Sequence, residues 1–213
     1  MSRQLFPPIE DATEDGLLAI GGDLLPETLL TAYSQGIFPW PINRGILAWF
    51  CPPQRAVLFL DDFYISRRLA RHIKTTRFTT SHNKDFSSVI EKCAELDNRG
   101  EQNGTWITDE IMAAYKELHA LGIAHSFETY CDDELVGGLY GVQVGKFFAA
   151  ESSFYRTSNA SKFAMLALRQ YLLEQDITWF DCQMLTPFSE SFGATEINRR
   201  EFMQLLKIAV EAE

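Results

Sequence analysis

Apolar positions recur along this chain at two spacings, and each change of spacing marks an element. Phe86, Val89, Ile90 and Cys93 repeat at helical spacing, as do Ile111, Tyr115 and Leu118, which follow a capping Thr108 and stop at Gly122. Nearer the N-terminus, Asp23 can cap a helix with Pro26 in its first turn, Leu29, Leu30 and Tyr33 on its apolar side, and Gly36 beyond its end. Ser66 can cap another helix, with Leu69 and Ile73 turned inward. Between these two lie a proline-rich connection, "GIFPWPINRG", and short strands at "ILAWF" and "AVLFL". "LDNRGEQNG" reads as an exposed loop.

The second half is more regular. "AHSFETYC", a turn at "DDE", "LVGGLYGVQV" and "KFFAAES" predict three consecutive antiparallel strands. Ser158 or Asn159 starts a helix carrying Phe163, Ala164, Ala167, Leu168, Tyr171 and Leu172 on one side. "ITWFD" is the next strand, and Asn198 opens a final helix with Phe202, Leu205 and Leu206. Three antiparallel strands, a helix, a strand and a helix make an α+β domain, in an order that resembles the GNAT-type acyltransferases. The expected division is a small N-terminal lobe, residues 1–55, followed by a GNAT-like domain, residues 56–213, with a mixed, largely antiparallel sheet.

Composition narrows the classes. The chain has 213 residues, 46% of them hydrophobic, enough for a folded core. No apolar run approaches a membrane span, and the N-terminal "MSRQLFPPIEDATEDG" lacks the apolar core of a signal peptide. Cys51, Cys93, Cys131 and Cys182 are scattered, with no metal-ligand spacing, so reduced thiols in the cytoplasm and no metal are expected. A net charge of −10 argues against a protein that coats nucleic acid. Its distribution qualifies that, because Phe63 to Lys84 holds six Lys/Arg and no acid. Arg67, Arg71 and Lys74 share one helix face there, either as a phosphate-binding face or as a solvated one.

Candidate chemistry gathers at strand ends. "AAES" closes one central strand and "FDCQ" another, so Glu151, Asp181 and Gln183 could converge on a ligand. Strand alternation puts Asp181 and Gln183 on one side and Cys182 on the other. His119 and His125 stand too far along the chain to mark an activated thiol, and a buried inert cysteine is the expected reading. Taken singly, Asp181 also reads as a turn-former and Gln183 as a loop amide. GNAT enzymes hold the coenzyme A pyrophosphate on a glycine-rich loop, whereas "YRTSNASK" here has no glycine, which counts against that cofactor. Phe38, Trp40, Trp49 and Trp106 sit near turns, suited either to stacking an unpaired base or to packing between lobes.

Taken in order, "GLLAIGGDLLPETLLTAYSQGIFPW", "RAVL", "GTWIT", "AYKELHALGIAHSFE", "ELVGGLYGV", "AESSF", "NASK", "DCQ" and "FGATEINRREF" resemble the leucyl/phenylalanyl-tRNA–protein transferase family over nearly the whole chain. The resemblance implies transfer of Leu or Phe from aminoacyl-tRNA to proteins with N-terminal Lys or Arg, which marks them for degradation. It implies no cofactor and a monomer. Trp40, with Tyr33 and Phe38 around it, would serve the tRNA 3′-adenosine. Trp106 and Glu151 would bind the aminoacyl end, and Arg67, Arg71 and Lys74 the acceptor stem. Asp181 and Gln183 would lie at the reacting centre, with Asp181 either a base or a positioning group. Leu139, Ser153, Met165 and Phe180 would line the pocket for the transferred side chain.

The chain departs from the family's pattern in places. "AWFCPPQR" stands where members carry "WWSPDPR", "AESSF" replaces "GESMF", and Thr186, Pro187 and Phe188 replace an Asn, a His and a Thr. The chain also stops soon after its last helix, without the tail of familiar members. An altered amino-acid or acceptor preference, such as acidic N-termini, is therefore a variant of the main reading. Readings from other classes are a CoA-dependent N-acetyltransferase and a non-catalytic binder of charged tRNA.

Overall fold

The structure, a computed structural model, describes residues 5–42, 46–95 and 105–212. The whole of the "LDNRGEQNG" loop, expected to be exposed, lies outside them. Among the described residues there are two sheets. A three-stranded sheet of order β1-β3-β2 joins Leu17–Ile20 (β1), Phe38–Pro39 (β2) and Ala48–Phe50 (β3). The helix between β1 and β2 is Pro26–Ser34 (α1). Its N-cap position is Leu25, and Asp23 acts from outside, accepting hydrogen bonds from the Leu25 backbone (3.2 Å) and the Thr28 hydroxyl (2.6 Å).

The larger sheet has seven strands in the order β10-β4-β9-β8-β7-β6-β5. They are Gln54–Phe59 (β4), Phe78–His82 (β5), Ala124–Cys131 (β6), Glu134–Val144 (β7), Phe147–Tyr155 (β8), Trp179–Gln183 (β9) and Thr195–Asn198 (β10). Every neighbouring pair is antiparallel except β8 and β9, which run parallel. The β6–β7–β8 meander is the predicted one. Its first turn uses Asp132 and Asp133, both at positive φ (49° and 66°), the conformation that a two-residue hairpin loop requires. The remaining helices are Arg67–Ile73 (α2), Phe86–Ala94 (α3), Asp109–Ala120 (α4), Ala160–Glu174 (α5), Pro187–Glu190 (α6) and Arg199–Glu211 (α7). Ser66, Thr108 and Asn198 cap α2, α4 and α7 as predicted. Ile73, expected inward, is 38% exposed, because α2 is a short surface helix that buries only Leu69.

The large sheet separates two apolar clusters. On one face Val57, Tyr140, Ala149 and Trp179 pack against α3, α4, α7 and Tyr33 of α1. On the other, Leu58, Leu139, Phe148 and Phe180 pack against Phe163, Met165 and Leu168 of α5. The first cluster also takes in Phe38 and Trp49 of the small sheet, so α1 and that sheet share a core with the larger one. Gly137 lets α5 lie close: a Cβ there would stand 2.5 Å from the Ala160 Cβ. No helix among the described residues is long and apolar enough to cross a membrane.

Candidate active site

Two backbone irregularities build the site. In β8, Ala150 pairs with Gly141 and Ser152 with Tyr140, so Glu151 is an extra, bulged residue. In β9, Asp181 pairs with Val57 and Gln183 with Ala56, so Cys182 is the extra residue, and Gln183 adopts a left-handed φ of 57°. The parallel pairing of β8 with β9 has one register pair, Ala149 with Asp181. Glu151 and Gln183 come just after it, where the strands part.

Their side chains meet across that opening. The Gln183 Nε2 donates to Glu151 Oε1 at 2.7 Å, and the Tyr33 hydroxyl donates to the same oxygen at 2.8 Å. The Tyr115 hydroxyl lies 3.4 Å from Oε2 and shares a short hydrogen bond with the Tyr33 hydroxyl. Both tyrosines are fully buried. Glu151 is partly exposed at the opening, yet its carboxyl is ringed by protein groups. Burial pushes that carboxyl up to about 8, against the lowering effect of the Tyr33 hydrogen bond. The two phenols are raised as well, first by burial and then by the Glu151 charge.

Asp181 is held differently. Arg55, heading β4, grips it with a two-pronged contact: Nε to Oδ1 at 2.8 Å and Nη2 to Oδ2 at 2.6 Å. The guanidinium also donates to the Gly36 carbonyl at 3.0 Å and lies between the Phe38 and Phe202 rings, 4.6 Å from each centroid. Burial works against the Arg55 charge, and Asp181 more than offsets it. Oδ1 of Asp181 also accepts the Gln183 backbone N–H at 2.8 Å. Asp181 therefore ties Gln183 into its left-handed conformation, and its oxygens are already engaged by internal donors. Of the two roles left open for Asp181, this geometry fits the positioning one. Arg55 was missed as a site residue, although an arginine leading an apolar strand run must find a partner when buried. Tyr115 was counted only as part of a helix stripe.

The other expected residues fall into three groups. Trp40 and Trp106 stack on each other, centroids 5.2 Å apart at 17°, with Trp106 buried and Trp40 partly buried. Tyr33 and Phe38, expected around Trp40, turn no ring face outward: Tyr33 is committed to Glu151, and Phe38 lies beneath Arg55. Leu139, Met165 and Phe180 sit together in the α5-side cluster, and Ser153, opposite Leu139 in register, is exposed at its margin. Arg67, Arg71 and Lys74 are all exposed, and no carboxylate pairs with them among the described residues. Arg71 and Lys74, with Arg68, His72, Thr75 and Asn159, line a cleft of about 610 Å³ between α2 and the start of α5. Cys182 turns to the α5-side cluster, and burial drives its thiol far above the ordinary range, so it is inert.

A largely antiparallel sheet with two parallel central strands that part beside a strand bulge defines a GNAT-type acyltransferase fold. The crystal structure of FemX shares the fold, with a TM-score of 0.51 at 11% identity, covering 85% of this chain and 71% of that one. The sequence identifies the family within that class. Residues 57–207 match the family model for leucyl/phenylalanyl-tRNA protein transferase, and residues 22–53 match that for its N-terminal domain. Proteins named leucyl/phenylalanyl-tRNA–protein transferase are similar over most of their length. One from Flavobacterium johnsoniae is 46% identical over 202 residues, 95% of each chain; one from Colwellia psychrerythraea is 49% identical over 205 residues, 93% of this chain and 84% of that one. The chain belongs to the leucyl/phenylalanyl-tRNA–protein transferase family and is an aminoacyl-tRNA–protein transferase.

Proposed function

We propose that this enzyme moves Leu or Phe from its tRNA to the N-terminal amine of proteins that begin with Lys or Arg, marking them for degradation, and that it does so as a cytoplasmic monomer. The observation that carries the reading is the Glu151–Gln183 pair spanning the opening between β8 and β9. The aminoacyl ester is already activated, so the enzyme must align an amine with its carbonyl and manage one proton. The C–N bond forms, the bond to the ribose oxygen breaks, and the proton lost by the amine ends on that oxygen. Glu151 is the group suited to carry it. An α-amine titrates near ~8, and an ordinary glutamate near ~4.3 would take its proton only uphill. With Glu151 raised to about 8, the exchange is nearly level.

Gln183 holds the Glu151 carboxyl in place, and Asp181, fixed by Arg55, holds Gln183. Trp40, partly exposed where it stacks on Trp106, offers a face to the 3′-adenosine. Arg67, Arg71 and Lys74 meet the acceptor-stem backbone, supported by their exposure and by the lack of a paired acid among the described residues. Leu139, Ser153, Met165 and Phe180 receive the transferred side chain. A matrix of charged tRNAs against peptides with varied N-terminal residues tests this; no peptide extended by any charged tRNA would overturn it. The fully buried Phe180 beside Leu139 and Met165 favours a second reading with a changed amino-acid preference, which the same matrix separates.

A further inference from the structure

Four elements converge on one carboxyl, and the count of protons among them constrains how it works. Glu151 Oε1 already accepts two hydrogen bonds, from Tyr33 of α1 and Gln183 of β9. The Tyr33 proton is thereby spent, so the short contact between the two phenols is filled by the proton of Tyr115 from α4. Oε2 is left as the oxygen that takes up and releases a proton. When it is protonated, its O–H faces the Tyr115 oxygen at 3.4 Å and closes a ring: Glu151 to Tyr115, Tyr115 to Tyr33, Tyr33 back to Glu151. When it is ionised, the same phenols remain as donors behind it. Both tyrosines are wholly buried, so water cannot replace either hydroxyl. The other charged groups near the carboxyl are Asp181 of β9 and Arg55 of β4, which pair with each other.

We propose that Tyr115, acting through Tyr33, is a positioning residue for the transfer reaction: the phenol pair fixes the Glu151 carboxyl beside the opening between β8 and β9 and governs whether Oε2 keeps or gives up its proton. In the step itself the amine proton passes to Oε2 as the C–N bond forms, and Oε2 returns it to the departing ribose oxygen. Glu151 ends ionised, as it began, and the tyrosines exchange no net proton. The inference rests on the proposed transfer reaction.

The test is the pH dependence of kcat for peptide extension in wild type, Tyr115→Phe, Tyr33→Phe and Glu151→Gln. Wild type should show an acidic limb that Glu151→Gln lacks. Tyr33 is the phenol that donates to the carboxylate, so Tyr33→Phe favours the neutral carboxyl and should move that limb to higher pH and lower kcat by about tenfold to a hundredfold, with KM for tRNA unchanged. Tyr115→Phe removes the hydroxyl that accepts the Oε2 proton in the neutral form and should move the limb to lower pH. A 13C-carboxyl NMR titration of the substrate-free protein reads the same group without activity, and its Glu151 midpoint should shift with the limb. Lower rates in the tyrosine variants with an unmoved limb and midpoint would show packing roles and overturn the proposal. Absence of transfer by wild type with every charged tRNA would instead overturn the reaction it rests on.

Discussion

Replacing Arg55 with Met asks whether Asp181 is an anchor or a base. Arg55 is 1% exposed and Asp181 fully buried, and the substitution removes both contacts to Asp181 and the one to the Gly36 carbonyl while leaving an unbranched apolar side chain between Phe38 and Phe202. Asp181 then keeps one donor, the Gln183 backbone N–H. Stranding one partner of a buried pair costs about 3–5 kcal/mol. In a chain of this size each kcal/mol moves Tm by about 2–4 °C, so the expected fall is roughly 6–20 °C. Arg55→Lys should recover only part of it, because an ammonium cannot make the two-pronged contact.

The kinetic consequence separates the two roles. Gln183 sits at a φ of 57°, a conformation costing about 1–3 kcal/mol that persists only where its surroundings impose it. If Asp181 anchors that residue, Arg55→Met and Asp181→Asn should both lower kcat, measured below the unfolding range, and leave the acidic limb of the pH profile in place. The double variant should be less damaging than the two single losses summed, with a coupling of about 1–3 kcal/mol in urea unfolding. An acidic limb that disappears in Asp181→Asn but survives in Glu151→Gln would make Asp181 the base. A loss of less than about 1 kcal/mol in Arg55→Met would refute the buried-anchor argument itself.

Glu151→Gln should alter how stability depends on pH. The folded-state value of about 8 stands above the ordinary 4.5, so the favourable contribution is complete below about 4.5 and is lost as pH rises through about 8, a span worth on the order of 5 kcal/mol at most. The variant's Tm advantage over wild type should therefore be larger at pH 9 than at pH 5, and equal advantages would contradict the raised value. Arg71→Glu should weaken tRNA binding and reduce its salt slope by about 1 or more, as read by filter binding across a salt series; unchanged affinity would return that face to solvent. Gly137→Ala brings a Cβ to 2.5 Å from that of Ala160 and displaces the start of α5, where the Thr129 hydroxyl binds the Ala160 carbonyl at 2.9 Å. A loss of about 1–3 kcal/mol in urea unfolding is expected, and a neutral result would show that this helix start is free to move.

How much the sequence revealed depended on how local each signal was. The α3 and α4 stripes and the β6–β8 meander were legible because periodicity and caps are encoded within a few residues. Alternation likewise predicted that Asp181 and Cys182 face opposite ways, as they do. Arg55 was not legible, because its partner lies 126 residues away and nothing around "RAVL" marks the pairing. Tyr115 fits an apolar stripe so well that its hydroxyl went unassigned, although a buried phenol needs a partner. The bulge at Glu151 depends on how β7 and β8 pair, which strand composition alone does not specify. The small strand β10 and the four-residue α6 carry too few apolar positions to register.

The alternation along β9 also divides the work of the site. Asp181 faces Arg55 and the tyrosine side of the sheet, while Phe180, one residue earlier, faces α5. In the proposed reaction, a side chain seated against Leu139, Met165 and Phe180 would be separated by the sheet from the Glu151 carboxyl proposed to carry the proton. The two can act on one substrate only where β8 and β9 part, and there the bulge brings Glu151 to the gap while the left-handed Gln183 closes it from the other strand. Under that proposal, changes at Phe180 or Ser153 should alter which amino acid is transferred without disturbing proton transfer. Changes at Arg55, Asp181 or Gln183 should instead lower the rate of transfer while leaving the amino-acid preference as it is.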